Sequence, residues 1–523
     1  MPIHYLHLYI STNSYQMKLY SLSIKNFRGY KDEATVKFED LTAIVGKNDM
    51  GKSSLLEALD IFCNSKPVHP IDRSDLNVDA IAAGETDIEI TTEFTDFPMS
   101  LIIDATNRTS LADEYLLTSE GRLKVRKIYP NAGKEKVFII ANHPTQVDCA
   151  DLITLKQKDL KKKVEDLGLE CDKTKNAEMR KTIRDYYAAR GGLLLQEVPI
   201  ESTKENVKDI WAKLTEYLPT FSLFVSDRTN NEGDKIIQDP LKFAVQRMFD
   251  DDVIKALCHQ IAERVINELQ SVATGTLDKL NEMNPEIANQ LNPSIGKEDD
   301  LKWPDIFKNV SIAGDDGIQI NKHGSGVRRL VLLNFFRYEA EKKVADGKDV
   351  VYAIEEPETS QHSEHIKMMM EALKSLSQRE HIQIIITTHN PFLVKQLSYS
   401  QLRLVDEDGG IKTVNPIDTA RMPYVSLNEV NYLAFGEITE EYHDELYGHL
   451  AFRNDLNVFL NTQPKQNYIR LKPDGTSVTE HKCKTEIIRH QIHHPENTLN
   501  ARYTTEELRQ SIELMRQYLL ANP

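Results

Sequence analysis

Apolar and polar positions alternate over residues 18–26 (KLYSLSIKN), with Leu19, Leu22 and Ile24 prominent, and this pattern predicts a strand. Met17 directly precedes it, so residues 1–16 are expected either to extend outside the main fold or to lie before the true start. Phe27-Arg28-Gly29-Tyr30 reads as a turn, after which residues 34–38 resume as strand. Residues 41–45 (LTAIV) form a compact apolar run suited to a buried strand, and residues 54–62 (SLLEALDIF) suit a helix. Two further apolar runs, 349–354 (DVVYAI) and 382–386 (IQIII), predict buried strands late in the chain. Between these ends, Leu152, Leu155, Leu160, Val164 and Leu167 give an irregular helical stripe that continues to about Ala189. A strand returning to the core is expected over 218–228, and an amphipathic helix over 248–269. From Val425 onward the pattern reads as helices, interrupted at 462–466 and stopped at Pro495.

Polar residues at the ends of the apolar runs carry the chemistry. The run 41–45 leads into Gly46-Lys47-Asn48-Asp49-Met50-Gly51-Lys52-Ser53, a complete GxxxxGK[ST] pattern, and then into the helix that starts near Ser54. In a strand, glycine loop and helix, backbone N–H groups and the helix N-terminus wrap phosphate oxygens. Lys52 is then placed for the terminal phosphates and Ser53 for magnesium. The run 349–354 ends in Glu355-Glu356-Pro357-Glu358. Glu355 suits the magnesium-bound water shell, and Glu356 suits polarising an attacking water. An acidic helix cap is the plainer reading of the same residues. The run 382–386 ends in Thr387-Thr388-His389-Asn390-Pro391, where His389 is a candidate for γ-phosphate contact or for orienting the water. The segment Asn321-Lys322-His323-Gly324-Ser325-Gly326-Val327-Arg328-Arg329-Leu330 precedes an apolar helix at 331–336. Its Ser325 and Gly326 can donate hydrogen bonds to phosphate.

Length and charge narrow the setting. A chain of 523 residues has room for roughly two to four domains. A formal net charge of −16 argues against coating by nucleic acid, although 64 Lys and Arg leave room for a local basic groove. No apolar stretch is long enough to span a bilayer, and the first residues do not follow a signal-peptide pattern. Cys63, Cys149, Cys171, Cys258 and Cys483 are widely spaced, with no zinc or disulfide pattern, which fits a reducing cytoplasm.

Five elements in this order resemble the ABC-type ATPase heads of the SMC, Rad50, RecF and OLD families. KLYSLSIKNFRGY looks like their first strand and turn, GKNDMGKS like Walker A, and HGSGVRRL like the signature motif. VVYAIEEPETSQH looks like Walker B with the D-loop, and TTHNP like the switch histidine. The resemblance covers residues 17–145 and 305–410. It implies an α/β fold: an ABC-type P-loop ATPase head with an inserted helical region and a small C-terminal helical appendage. The expected division is 1–149 and 305–415 for the two lobes of the head, 150–304 for the insertion and 416–523 for the appendage. It further implies ATP and Mg2+ as ligands, with Gly46, Asn48, Gly51, Lys52, Ser53 and Ser54 holding nucleotide. Ser53 and Glu355 would hold the metal, and Glu356 and His389 would be catalytic. In a head-to-head homodimer, Ser325 and Gly326 of one chain would complete the ATP site of the other. The family's Gln loop has no counterpart, since no Gln stands between Ser54 and Thr145; Asp72 or Asp75 is a candidate substitute.

The predicted helical stretch 151–189 is too short for the long coiled coil of SMC or Rad50 proteins and implies a short hairpin or arm. Its run from Lys156 to Lys163 is either a solvated face or a contact for nucleic acid or a partner. Near the C-terminus, Arg489 and His494 resemble the RNase motif of HEPN domains; a helix end used for packing or docking is the plainer reading. A head with a short insertion and such a tail resembles the ATPase subunits of bacterial anti-phage systems, notably Septu (PtuA) and, in outline, PARIS. That resemblance implies a regulatory ATPase working with a separate HNH nuclease or TOPRIM effector. A RecF-like DNA-repair ATPase and a self-contained HEPN-like ribonuclease are the alternative functions.

Overall fold

The computed structural model describes residues 17–104, 107–225, 248–249, 251–283, 348–359, 363–417 and 426–522. The chain divides into two compact units, one of Met1–Ser226 with Lys342–Pro523 and one of Asp227–Glu341. In the latter, the described part is chiefly one helix, α5 (Asp252–Met283), longer than the helix expected there.

The larger unit contains two six-stranded sheets. In the first, the order is β2 (Ala34–Lys37), β1 (Lys18–Lys25), β4 (Asp87–Thr95), β7 (Leu123–Pro130), β8 (Lys136–Pro144) and β9 (Leu195–Glu201), with every neighbouring pair antiparallel. Alternation along β1 puts Leu19, Leu22 and Ile24 in the core. In the second sheet the order is β10 (Thr220–Phe224), β11 (Val350–Glu355), β12 (Ile382–Thr388), β3 (Leu41–Val45), β13 (Leu402–Asp408) and β14 (Ile411–Pro416). Its first five strands are parallel, and β14 returns antiparallel. All residues of β3, β11 and β12 are buried, as expected of parallel strands covered on both faces. Helix α1 (Lys52–Cys63) shares one apolar core with both sheets through Leu55, Leu56, Leu59 and Phe62. Gln383 links the sheets: its side chain accepts from the Leu19 N–H at 2.7 Å and donates to the Leu19 carbonyl at 3.0 Å. The strands β5 (Leu101–Asp104) and β6 (Asn107–Thr109) form a separate pair.

The stretch 150–304, expected as a largely helical insertion with a strand over 218–228, gives a strand to each sheet: β10 within the expected range and β9 where none was expected. Its helical part near the first sheet is a hairpin of α2 (Gln157–Asp166) and α3 (Asn176–Ala188), with Leu152, Leu160, Val164, Met179 and Ile183 buried between them. Then β9 adds to the edge of the first sheet, where Pro199 costs no central ladder bond. After α4 (Glu205–Tyr217), β10 pairs with β11. Mostly exposed, β9 lacks a strong apolar pattern, which explains why its sequence did not mark it as strand.

Helix α6 (Ser363–Ser377) packs on the second sheet through Ile366, Met369, Met370 and Leu373. The C-terminal region contains α7 (Leu427–Phe435), α8 (Glu440–Phe452), α9 (Leu456–Asn461), α10 (Lys484–His493) and α11 (Thr505–Ala521). It is not wholly helical: β15 (Lys465–Leu471) and β16 (Ser477–Cys483) form an antiparallel hairpin. Its turn carries Pro473-Asp474-Gly475, with Gly475 at φ +79°, a turn signal that the helical reading of this region passed over. Tyr442, Leu446, Phe459, Ile488, Ile512 and Met515 make this region's own core.

Candidate functional site

The register of the parallel strands assembles the site. Glu355 lies beside Thr387, Thr387 beside Ile44, and Thr388 beside Val45. The acidic run, the Thr-His exit and the glycine loop therefore leave the same edge of the sheet, the C-terminal ends of its strands, where open α/β sheets hold ligands.

The loop from Gly46 to Gly51 joins β3 to α1. Gly51 has φ +96°, and a Cβ there would stand 2.9 Å from the Tyr30 ring. The Tyr30 hydroxyl donates to the Gly51 carbonyl at 3.2 Å, so the turn at 27–30 closes over the loop. The N-terminus of α1 has neither a side-chain cap nor an acidic residue in its first turn. Its first N–H groups and positive dipole end thus suit an anion. Lys52 is buried and donates to the carbonyls of Gly46 at 2.9 Å and Lys47 at 2.7 Å. Burial lowers the pKa of its ammonium, opposed by Glu356, Glu358, Asp49 and Glu355. Asn48 lies on the same loop, and Ser54 is buried in the first turn of α1.

The Ser53 hydroxyl contacts Glu355 Oε1, so the two expected metal ligands meet across 302 residues of sequence. A hydroxyl and a carboxylate side by side are hard oxygen donors of the type magnesium takes alongside phosphate. Glu356 occupies left-handed backbone at φ +41°, an uncommon conformation for a non-glycine residue. Its N–H donates to the Thr387 carbonyl at 3.0 Å, fixing the turn on β12. Its Oε1 lies 3.1 Å from His389 Nδ1, and its Oε2 accepts from the Thr359 hydroxyl at 3.3 Å. The following helix begins, among the described residues, at Ser363, so Glu355 and Glu356 belong to the strand exit and not to a helix cap.

Glu358, read from sequence only as part of an acidic run, is a member of this cluster. It is 4% exposed; its Oε1 accepts from the Thr388 hydroxyl at 2.6 Å and from the His389 N–H at 3.3 Å. Only spatial proximity identifies it, because its partners lie 30 residues downstream. The candidate Gln-loop substitutes serve structural ends. Asp75 accepts from Arg28 Nε at 2.8 Å and from the Asp72 N–H at 2.9 Å, while Asp72 caps the short turn through Ser74. Ser325 and Gly326 lie outside the described residues.

Arg489 and His494 are not brought together. Arg489 pairs with Asp444 and contacts His493, whereas His494 pairs with Glu496 at 3.0 Å. His493 lies 2.6 Å from Asp444, so the residues next to each other in sequence face different neighbours. Among the described residues, no helix is long and apolar enough to cross a membrane.

The chain matches the family described as AAA ATPase domain over residues 17–394. Among solved structures, it is similar to an Smc head bound to the C-winged helix domain of ScpA, at 12% identity and a TM-score of 0.37, covering 77% of this chain and 98% of that one. The SMC head domain from Thermotoga maritima matches at 13% identity and a TM-score of 0.32, covering 77% and 99%. The recombination mediator RecF with ATP matches at 15% identity and a TM-score of 0.29, covering 72% and 94%. No curated protein sequence matches the chain.

Proposed function

The chain belongs to the AAA ATPase domain family, and from that premise we propose that it binds and hydrolyses ATP with magnesium at the strand-edge site. The observation that carries this reading is the convergence of Ser53, Glu355, Glu356 and His389 beside the glycine loop. Bound Mg-ATP supplies the electrophilic γ-phosphate and the metal charge. Lys52, now on two loop carbonyls, would turn to the phosphates, whose charge restores what burial takes from its ammonium. Ser53 and Glu355 would hold the metal. Glu356 would accept a hydrogen bond from the attacking water, with His389 beside it at the strand exit. A second copy would close the site with its Ser325 and Gly326. Binding across such an interface turns nucleotide occupancy into a change of shape.

Steady-state hydrolysis tests the roles. Glu356→Gln should lower kcat by about a hundredfold or more while ATP still binds, the range for loss of a general base. Lys52→Ala should weaken nucleotide binding itself. Hydrolysis by E356Q at the unsubstituted rate would refute the assignment of Glu356.

The proposed cellular role is that of a regulatory ATPase controlling a separate nuclease, as in Septu-like defence complexes with an HNH nuclease or a PARIS-like TOPRIM effector. A contact between the loop and the C-terminal region supports coupling of this kind. Lys47 Nζ lies 3.0 Å from where a Cβ at Gly436 would stand, and Gly436 is the left-handed cap of α7. Lys52 holds the Lys47 carbonyl, so its departure to phosphate would be felt at that cap. Copurification with a stoichiometric nuclease would support the role; DNA binding by the protein alone would favour the RecF-like reading. The exposed Lys158 and Lys162 on α2 give the second reading its footing. In that case Lys158→Glu with Lys162→Glu should weaken DNA binding and flatten its salt dependence.

A further inference from the structure

His389 stands between two carboxylates. Its Nδ1 is 3.1 Å from Glu356 Oε1 and 3.8 Å from Glu358 Oε1. Glu358 is the more deeply buried, and its position is set by the Thr388 hydroxyl and the His389 N–H. Thr388 in turn accepts from the Asn390 N–H at 3.0 Å, which ties the carboxylate to the whole exit of β12. The second oxygen, Glu358 Oε2, is buried with no hydrogen-bond partner among the described residues. A buried, half-satisfied carboxylate is costly to keep, and such groups concentrate where function requires them. Burial raises the Glu358 carboxyl above its usual range, opposed by the Thr388 hydroxyl and also by His389, whose approach favours the ionised form.

Glu356 is meanwhile occupied. His389 and Thr359 hold its two oxygens, one each, which fixes how the carboxylate is turned. We propose that Glu358 is a positioning residue that holds the Thr388–His389 exit in place and takes over the His389 imidazole when Glu356 turns to the attacking water. This inference rests on the ATPase reading of the site. The exchange moves one N–H from one carboxylate to another across less than 1 Å of difference in distance, the two separations being 3.1 and 3.8 Å. No bond to phosphorus changes in it. Lys52 faces both carboxylates, Glu356 the more strongly, with Asp49 and Glu355 beside it.

Glu358→Gln tests the idea, because the amide keeps an acceptor for Thr388 but loses the charge that attracts the imidazole. The expected result is a kcat lowered about tenfold to a hundredfold with ATP affinity within about twofold, the pattern of a misplaced reacting group. Thr388→Val, which keeps the carboxylate but removes its anchor, should lower kcat in the same way and serves if E358Q does not fold. Imidazole nitrogen NMR of the nucleotide-free protein gives a readout independent of turnover: the His389 signal should shift in both variants. A variant with unchanged kcat and an unchanged His389 signal would overturn the proposal. Absence of hydrolysis by the unsubstituted protein would overturn the ATPase reading, while the NMR comparison would still decide the placement of His389.

Discussion

At the scale of single residues, the nucleotide loop depends on two close approaches. Gly51→Ala would place a methyl in left-handed backbone and against Tyr30, so ATP affinity should fall by about tenfold or more, measurable by calorimetry. His443 offers a different kind of test. It is fully buried on α8, and burial lowers its pKa to about 4, with Asp444 opposing. Its Nε2 lies 3.0 Å from the Ser511 hydroxyl. An unfolded histidine titrates near ~6.5, so between that pH and about 4 the unfolded chain binds more protons than the native one. Stability from this group is present above pH ~6.5, falls as pH drops through the window, and levels off below about 4. Urea unfolding at pH 7 and pH 5 should show a pH slope in His443→Gln that is shallower by about one proton. An unchanged slope would mean that His443 binds protons equally in the native and the unfolded chain.

At the scale of elements, the parallel sheet was legible because its strands are buried on both faces. Runs such as LTAIV and IQIII leave little choice, and the polar residues that end them mark the site. Edge strands were legible only where an apolar pattern survives: β2 and β10 were expected, whereas β9 is exposed and its Pro199 reads against a strand. The β15–β16 hairpin carried a turn signal at Pro473-Asp474-Gly475, but its flanking strands are mostly exposed and show no apolar stripe. Glu358 was invisible for another reason, since its partners come from a different strand. The α2–α3 hairpin shows how such a buried ion pair attaches an element. Arg180 and Arg184 of α3 both reach Glu114, each at 2.8–2.9 Å, with all three side chains nearly fully buried. Glu114→Gln would leave two buried guanidinium groups without their counter-charge. A loss of about 3–5 kcal/mol is expected in chemical denaturation, the cost of breaking a buried pair by removing one partner. A loss below 1 kcal/mol, as for exposed pairs, would show that water reaches the cluster.

At the scale of the molecule, the nucleotide loop, the strand exits and the C-terminal region belong to one compact unit. Besides the Lys47–Gly436 contact, a buried network joins them. Glu429 on α7 pairs with Arg516 on α11 at 2.9 Å and accepts from the hydroxyl of Tyr399, which lies just before β13. Tyr399 also accepts from the Ser426 N–H at 3.0 Å. The C-terminal region is thus fastened to the sheet that carries the site, which suits a part that reads nucleotide occupancy. The proposed ATP sandwich would close two copies of this chain on each other. Sedimentation of E356Q with Mg-ATP tests it most directly. The expected result is a nucleotide-bound dimer of twice the 59.8 kDa chain mass, reverting to monomer when nucleotide is removed. An E356Q protein that binds ATP and still sediments as a 59.8 kDa monomer would contradict it.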